Sequence, residues 1–159
     1  GEFGEVGVAV VIDSNGAPLS LALQTGGVAL FKPSLRELQQ LTGEALANDA
    51  DIARAAQSLI AQGQAQRVAV SLGEAGAMLV TAQEAWRAQA LSVPVQTTIG
   101  AGDSFVAGML WAWLRHEPAA ETLRWAVAAS AAALLAPGTA LCQSADVHRL
   151  RPEVQIAPV

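Results

Sequence analysis

Residues 97–105 read Thr-Thr-Ile-Gly-Ala-Gly-Asp-Ser-Phe (TTIGAGDSF), a glycine turn that opens onto an apolar helical repeat. Gly100 and Gly102 flank the small Ala101, so the backbone N–H groups there are unshielded. Phe105, Val106, Met109, Leu110 and Trp113 then recur at helical spacing, which predicts an amphipathic helix over Asp103–His116. Free amides at a helix start, together with the helix macrodipole, form a ready anion site. Asp103 at such a start is equally a good N-cap, a role that needs no chemistry.

Upstream of this turn, apolar runs alternate with helical patterns. Val6–Asp13 (VGVAVVID) is a β-branched run of buried-strand length, closed by the turn residues Ser14-Asn15-Gly16. A short helix is expected over Ala17–Gln24, with Pro18 in its first turn and Gly26-Gly27 after it. Val28–Phe31 predicts a second strand. Ser34 then stands three residues before Glu37, the spacing of a capping box opening a helix over Leu35–Thr42. Asp49 or Asp51 starts a further helix running to Gln62 and stopped by Gly63. Arg67–Leu72 predicts a third strand, Gly73–Gly76 a turn, Ala77–Thr81 a returning strand, and Trp86–Leu91 another short one.

Downstream, Pro118 opens a long helix to about Ala136, broken by Pro137-Gly138, and a weak helix is expected over Ala145–Leu150. Strands alternating with helices predict an α/β fold, a mainly parallel sheet covered by helices.

Composition narrows the possible partners. The 159 residues are 52% hydrophobic and 14% charged, with a net charge of −5. Scattered basic residues on an acidic chain provide no stripe for a phosphate backbone, so no nucleic-acid partner is expected. The longest apolar run, Ala126–Ala136, is far short of the roughly 20 residues that span a bilayer, so no membrane partner is expected either. Acidic Glu2 and Glu5 near the start lack the basic character of an export signal. The single Cys142 excludes an intrachain disulfide and fits a reducing cytoplasm. His116, His148 and the tryptophans Trp111, Trp113 and Trp125 read as a helix end, a solvated group and packing residues.

Gly100–Phe105 followed by Val106-Ala107-Gly108 closely resembles the C-terminal signature of the ribokinase-like, phosphofructokinase B family of sugar kinases. That resemblance implies that Gly100, Ala101 and Gly102 hold the transferring phosphoryl group and that Asp103 is the base for the acceptor hydroxyl. Lys32-Pro33-Ser34-Leu35-Arg36-Glu37 resembles the family's Lys-Pro-Asn-x-x-Glu motif, with Ser34 in place of the Asn. It implies Lys32 and Ser34 on nucleotide phosphates and Glu37 on Mg²⁺ through water; a serine has shorter reach and fewer groups than an asparagine. Ser71-Leu72-Gly73-Glu74-Ala75-Gly76 resembles the family's nucleotide loop, which implies cofactor contacts by Ser71, Gly73 and Gly76. Each motif alone is weak, and their order along the chain carries the resemblance.

Ala132–Cys142 is similar to the adenine-side segment, and its Gly138-to-Cys142 tail most resembles the 6-phosphofructokinase branch. Val127, Ala131 and Gly138 match nucleotide-contacting positions. Thr97, Ile99, Ala133, Ala136, Gly138 and Ala140 match carbonyl ligands of a monovalent cation, K⁺. The implied fold is a three-layer αβα ribokinase-like arrangement, of which residues 1–159 match one portion, the nucleotide-binding and catalytic C-terminal half. The family's N-terminal sugar-binding half and lid have no counterpart in the sequence. The implied activity is ATP- and Mg²⁺-dependent phosphorylation of fructose 6-phosphate by a homo-oligomer. Tagatose 6-phosphate and fructose 1-phosphate are alternative substrates, and a non-catalytic nucleotide-binding fragment is an alternative role.

Overall fold

The computed structural model describes residues 10–13, 22–138 and 141–159. Contacts divide the chain into two compact units, one of residues 1–72, 78–85 and 158–159, the other of residues 73–77 and 86–157.

The first unit is built on β1 (Val10–Ile12), β2 (Val28–Phe31) and β3 (Ala65–Ser71), neighbours in that order. β1 pairs with β2 in parallel, placing Ile12 beside Phe31, and β2 pairs with β3 in parallel, placing Phe31 beside Val68. All four residues of β2 are buried, which explains its unbroken apolar run: a parallel strand covered on both faces has no polar side. The connection from β2 to β3 carries α1 (Leu35–Thr42) and α2 (Asp49–Ala61), as a parallel crossover requires. Their apolar faces meet the strands through Leu38, Ile52, Ala56 and Leu59, in one buried cluster with Phe31 and Val70.

The helix ends follow local chemistry. In α1 the expected capping box is present: Ser34 Oγ accepts the Glu37 N–H at 3.1 Å, and Glu37 Oε1 accepts the Ser34 N–H at 3.4 Å. Gly43, left-handed at φ +69°, closes the same helix. For α2 the cap is Asn48, whose Oδ1 accepts the Asp51 N–H at 2.9 Å, so the helix starts at Asp49.

β4 (Ala77–Val80) lies beside β3 after a connection of a few residues that contains a 3₁₀ turn, Gly73–Ala75. So short a link joins only antiparallel neighbours. After β4, Thr81 organises a turn. Its N–H donates to the Glu84 carbonyl at 2.8 Å, and its Oγ1 accepts the N–H groups of Gln83 and Glu84 at 3.3 and 3.2 Å. On β3, burial lowers the pKa of Arg67, and nearby Glu84 opposes that shift.

In the second unit, β5 (Ala85–Ala88) and β6 (Ile156–Pro158) are neighbouring strands, and the Gln89 N–H donates to the Gln155 carbonyl at 3.1 Å. β5 is shorter than the expected Trp86–Leu91. Nothing in the tail's composition foretold β6.

The body of this unit is α3 (Ala101–Trp113) against α4 (Ala119–Leu135), with α5 (Ser144–Leu150) packed on α4. Two expectations for α3 need correction. It begins at Ala101 rather than Asp103, and of the expected face Phe105 and Met109 are buried, with Ser104 and Ala112, while Val106, Leu110 and Trp113 are only half-buried. Gly108 explains the shifted face. A Cβ there would lie 2.8 Å from Ala129 Cβ and 2.9 Å from the Trp125 carbonyl, so α3 meets α4 backbone to backbone. The small buried residues Ala126, Ala128, Ala129 and Ala132 of α4 permit that approach.

Trp125 is buried against Trp111, with ring centroids 4.7 Å apart, and meets His148 edge-on at 5.1 Å. Glu121 pairs with both Arg124 (3.0 Å) and Arg151 (2.9 Å), and Arg124 donates to the Val154 carbonyl at 2.6 Å, fastening the tail to α4. α3 ends at Trp113 rather than at the expected His116, which follows it in the left-handed region at φ +59°. Among the described residues no helix is long and apolar enough to cross a membrane.

The expected strand over Val6–Asp13 is seen as β1, with residues 6–9 outside the described residues. Of the expected helix over Ala17–Gln24, residues 22–24 are helical, in a helix that runs on to Thr25, and residues 17–21 lie outside the described residues.

Candidate functional site

The start of α3 is the chemically distinctive place in the second unit. Gly100 is its N-cap, held left-handed at φ +82°, and no side chain caps the helix. Asp103 is therefore not the N-cap that the sequence allowed; it is the third helical residue. The reason is Gly100, which reaches a conformation closed to most side chains and so lets the helix begin earlier. The first intrahelical bond runs from the Ser104 N–H to the Gly100 carbonyl at 2.9 Å. The N–H groups of Gly100, Ala101, Gly102 and Asp103 consequently have no partner within the helix.

A Cβ at Gly102 would meet nothing within 4 Å, so the space beside these amides is open. Asp103 is exposed, and its carboxylate has no hydrogen bond or ion pair among the described residues. Four free donors, the positive end of a helix dipole and one free carboxylate suit an anion whose reaction releases a proton.

The loop before this helix is tied to the end of α4. The Leu134 carbonyl accepts the Gln96 N–H at 2.8 Å and the Thr97 N–H at 3.4 Å, and Thr97 Oγ1 accepts the Ile99 N–H at 3.1 Å. Thr97 and Ile99 are thereby brought to the segment of Ala133, Ala136 and Gly138, where the Ala136 N–H donates to the Ala133 carbonyl at 3.2 Å. Five of the six expected carbonyl positions thus come from two segments that bond to each other; Ala140 lies outside the described residues. Val127 and Ala131 are 6% and 4% exposed and pack within α4's buried surface.

Two glycines of the 73–76 turn differ in purpose. Gly73, at φ +59°, has nothing within 4 Å of a Cβ, whereas at Gly76 a Cβ would sit 2.1 Å from the Ala88 carbonyl oxygen and 2.8 Å from the Ala90 nitrogen. Gly76 is thus explained by packing, a reason the sequence pattern did not supply.

In the first unit, Lys32, Ser34 and Ser71 lie at the ends of adjacent parallel strands. Ser34 and Ser71 form a parallel bridge, with the Ser71 N–H donating to the Pro33 carbonyl at 2.9 Å. Lys32 is largely buried and pairs with Asp13 at 3.4 Å. Asp13 was not singled out in the sequence. Its signal was available: it follows β1 as Lys32 follows β2, and parallel register aligns the two strand ends. Glu37 is half-buried and spends one carboxylate oxygen on the Ser34 N–H. Among the described residues no three His, Cys, Asp or Glu side chains cluster to hold a metal ion.

A family profile described as pfkB family carbohydrate kinase matches residues 4–146. The chain is 38% identical over 144 residues to the ATP-dependent 6-phosphofructokinase isozyme 2 of Escherichia coli K12, covering 91% of this chain and 47% of that protein. It is 34% identical over 149 residues to the 1-phosphofructokinase of the same organism, covering 94% of this chain and 47% of that one. The crystal structure of phosphofructokinase-2 from Escherichia coli in complex with potassium superposes with a TM-score of 0.84 at 37% identity, over 92% of this chain and 48% of that chain. The chain spans about half the length of the curated relatives it matches. Carrying that profile over most of its length on a matching ribokinase-like α/β fold, the chain belongs to the pfkB family of carbohydrate kinases.

Proposed function

We propose that the chain is the nucleotide-binding and catalytic half of an ATP-dependent phosphofructokinase-type kinase, with the sugar contacts and lid supplied by the other half of the fold. The observation that carries this reading is the start of α3, where four free amides and the unpartnered Asp103 carboxylate share one open helix end.

Phosphoryl transfer asks a protein for in-line positioning and for stabilisation of charge on the equatorial oxygens. The amides of Gly100, Ala101 and Gly102 serve that charge. Asp103 takes the proton of the acceptor hydroxyl as its oxygen attacks. ATP supplies the phosphoryl group, and Mg²⁺ offsets its charge. Lys32 and Ser34 contact phosphates, Ser71, Gly73 and Gly76 shape the nucleotide loop, and Val127, Ala131 and Gly138 line the adenosine.

Glu37 fits a magnesium ion held through water, because its second carboxylate oxygen remains after the bond to Ser34. A magnesium ion held there would keep phosphate oxygens and water among its ligands, its usual preference. The carbonyls of Thr97, Ile99, Ala133, Ala136 and Gly138 are hard oxygen donors that suit K⁺, a reading supported by the potassium in the Escherichia coli relative's crystal.

Fructose 6-phosphate, phosphorylated at its 1-hydroxyl, is the substrate best supported by the isozyme 2 relative. Fructose 1-phosphate is a second reading, supported by the 1-phosphofructokinase relative; tagatose 6-phosphate is a third on chemical similarity. A cytoplasmic homo-oligomer completes the proposal. The kcat/KM values of the active kinase for the three sugars test it: fructose 6-phosphate is expected to lead by about tenfold or more. A lead for either rival overturns the substrate, and no transfer to any of the three overturns the kinase reading.

A further inference from the structure

We propose that Thr97 is a positioning residue for the phosphate-holding turn, an inference that rests on the function proposed above. Thr97 stands three residues before Gly100 and is fixed from both sides. Its N–H, with that of Gln96, donates to the Leu134 carbonyl in the last turn of α4, where helix carbonyls have no partners of their own. Its Oγ1 accepts the Ile99 N–H at 3.1 Å, and Ile99 leads directly into the left-handed Gly100.

Packing does not hold this turn. Thr98 is exposed, Ile99 is 60% exposed, and a Cβ at Gly100 would touch nothing within 4 Å. Among the described residues, the Thr97 hydroxyl makes the one side-chain hydrogen bond within 96–103. Without it, the Ile99 N–H loses its hydrogen bond and the backbone between Thr97 and Gly100 is less ordered before the phosphate arrives; the added ordering entropy is subtracted from affinity. Thr97 thus joins two supports: its main-chain N–H holds to the end of α4, and its hydroxyl holds the Ile99 N–H that leads into the α3 start. This role is separate from that of its main-chain carbonyl, which every substitution leaves in place.

The test compares the chain with Thr97→Val, which keeps the shape and removes the acceptor, and Thr97→Ser, which keeps the hydroxyl. Binding of the magnesium complex of a non-hydrolysable ATP analogue is measured by calorimetry, alongside thermal unfolding. Thr97→Val is expected to raise Kd by about threefold to tenfold, the scale of one hydrogen bond, at an unchanged Tm. Thr97→Ser is expected to restore affinity to within about twofold, since the same hydroxyl returns. Wild-type affinity in Thr97→Val, equal weakening in both variants, or weakening that follows a lowered Tm would each overturn the inference. No binding by the unmutated chain overturns the function itself, and the inference with it.

Discussion

Asp103→Asn is expected to lower kcat of the active kinase by about 10²- to 10⁴-fold, the range for loss of a general base, with nucleotide affinity little changed. An amide occupies the same space and can accept a hydrogen bond but cannot take the acceptor's proton. The backbone donors for the phosphoryl group are untouched, so the loss falls on turnover rather than on binding. Stability is expected to drop only slightly. Gly100, not Asp103, caps α3, and Asp103 contributes only a first-turn charge facing the helix dipole, an effect of about 0.3–1 kcal/mol. Turnover within about threefold of wild type would make Asp103 a dipole residue and remove it from the chemistry.

The second large effect is structural. Gly76→Ala is expected to destabilise the chain by about 3 kcal/mol or more, lowering Tm by roughly 6–12 °C. The added methyl would point at the Ala88 carbonyl oxygen from 2.1 Å, and the backbone stands at φ +107°, a conformation that L side chains rarely adopt. Neither neighbour is a flexible side-chain end, so relief requires moving the strand-end backbone itself. Gly73→Ala is the control. Its φ of +59° carries the left-handed penalty alone, about 1–2 kcal/mol, with open space around the new methyl. Thermal unfolding of both variants decides the matter, and equal stability would contradict the packing account of Gly76.

These two residues also show where the sequence was legible. α1 was readable to the residue, because Ser34, Glu37 and Gly43 are local signals whose hydrogen bonds close within one turn. β2 was readable because a strand buried on both faces is apolar throughout. The anion turn was readable as a glycine pair before a helix, yet the helix start was misplaced by two residues. An N-cap glycine carries no side-chain signal, and Asp103 imitates a cap from the third position.

What the sequence hid depends on partners distant along the chain. Gly76 is fixed by Ala88 and Ala90, Gly108 by Trp125 and Ala129, and Lys32 by Asp13 across two strands. Glycines serving close approach look identical in sequence to glycines serving a turn. The α3 face followed the same logic: of the five residues that periodicity favoured, Phe105 and Met109 are buried, but Val106, Leu110 and Trp113 are only half-buried, because the bare surface of Gly108 admits the neighbouring helix on its own side.

The central claim is that the amides opening α3 hold the phosphate of a nucleotide whose loop is the 73–76 turn. It is tested most directly by titrating the ¹⁵N-labelled chain with the magnesium complex of a non-hydrolysable ATP analogue. The amide signals of Gly100 and Gly102, with Gly73, Gly76 and Gly138, are predicted to move saturably along one binding curve, in Asp103→Asn as in the unmutated chain. If those signals stay in place at millimolar nucleotide, the α3 start is a capped helix end and not a phosphoryl site.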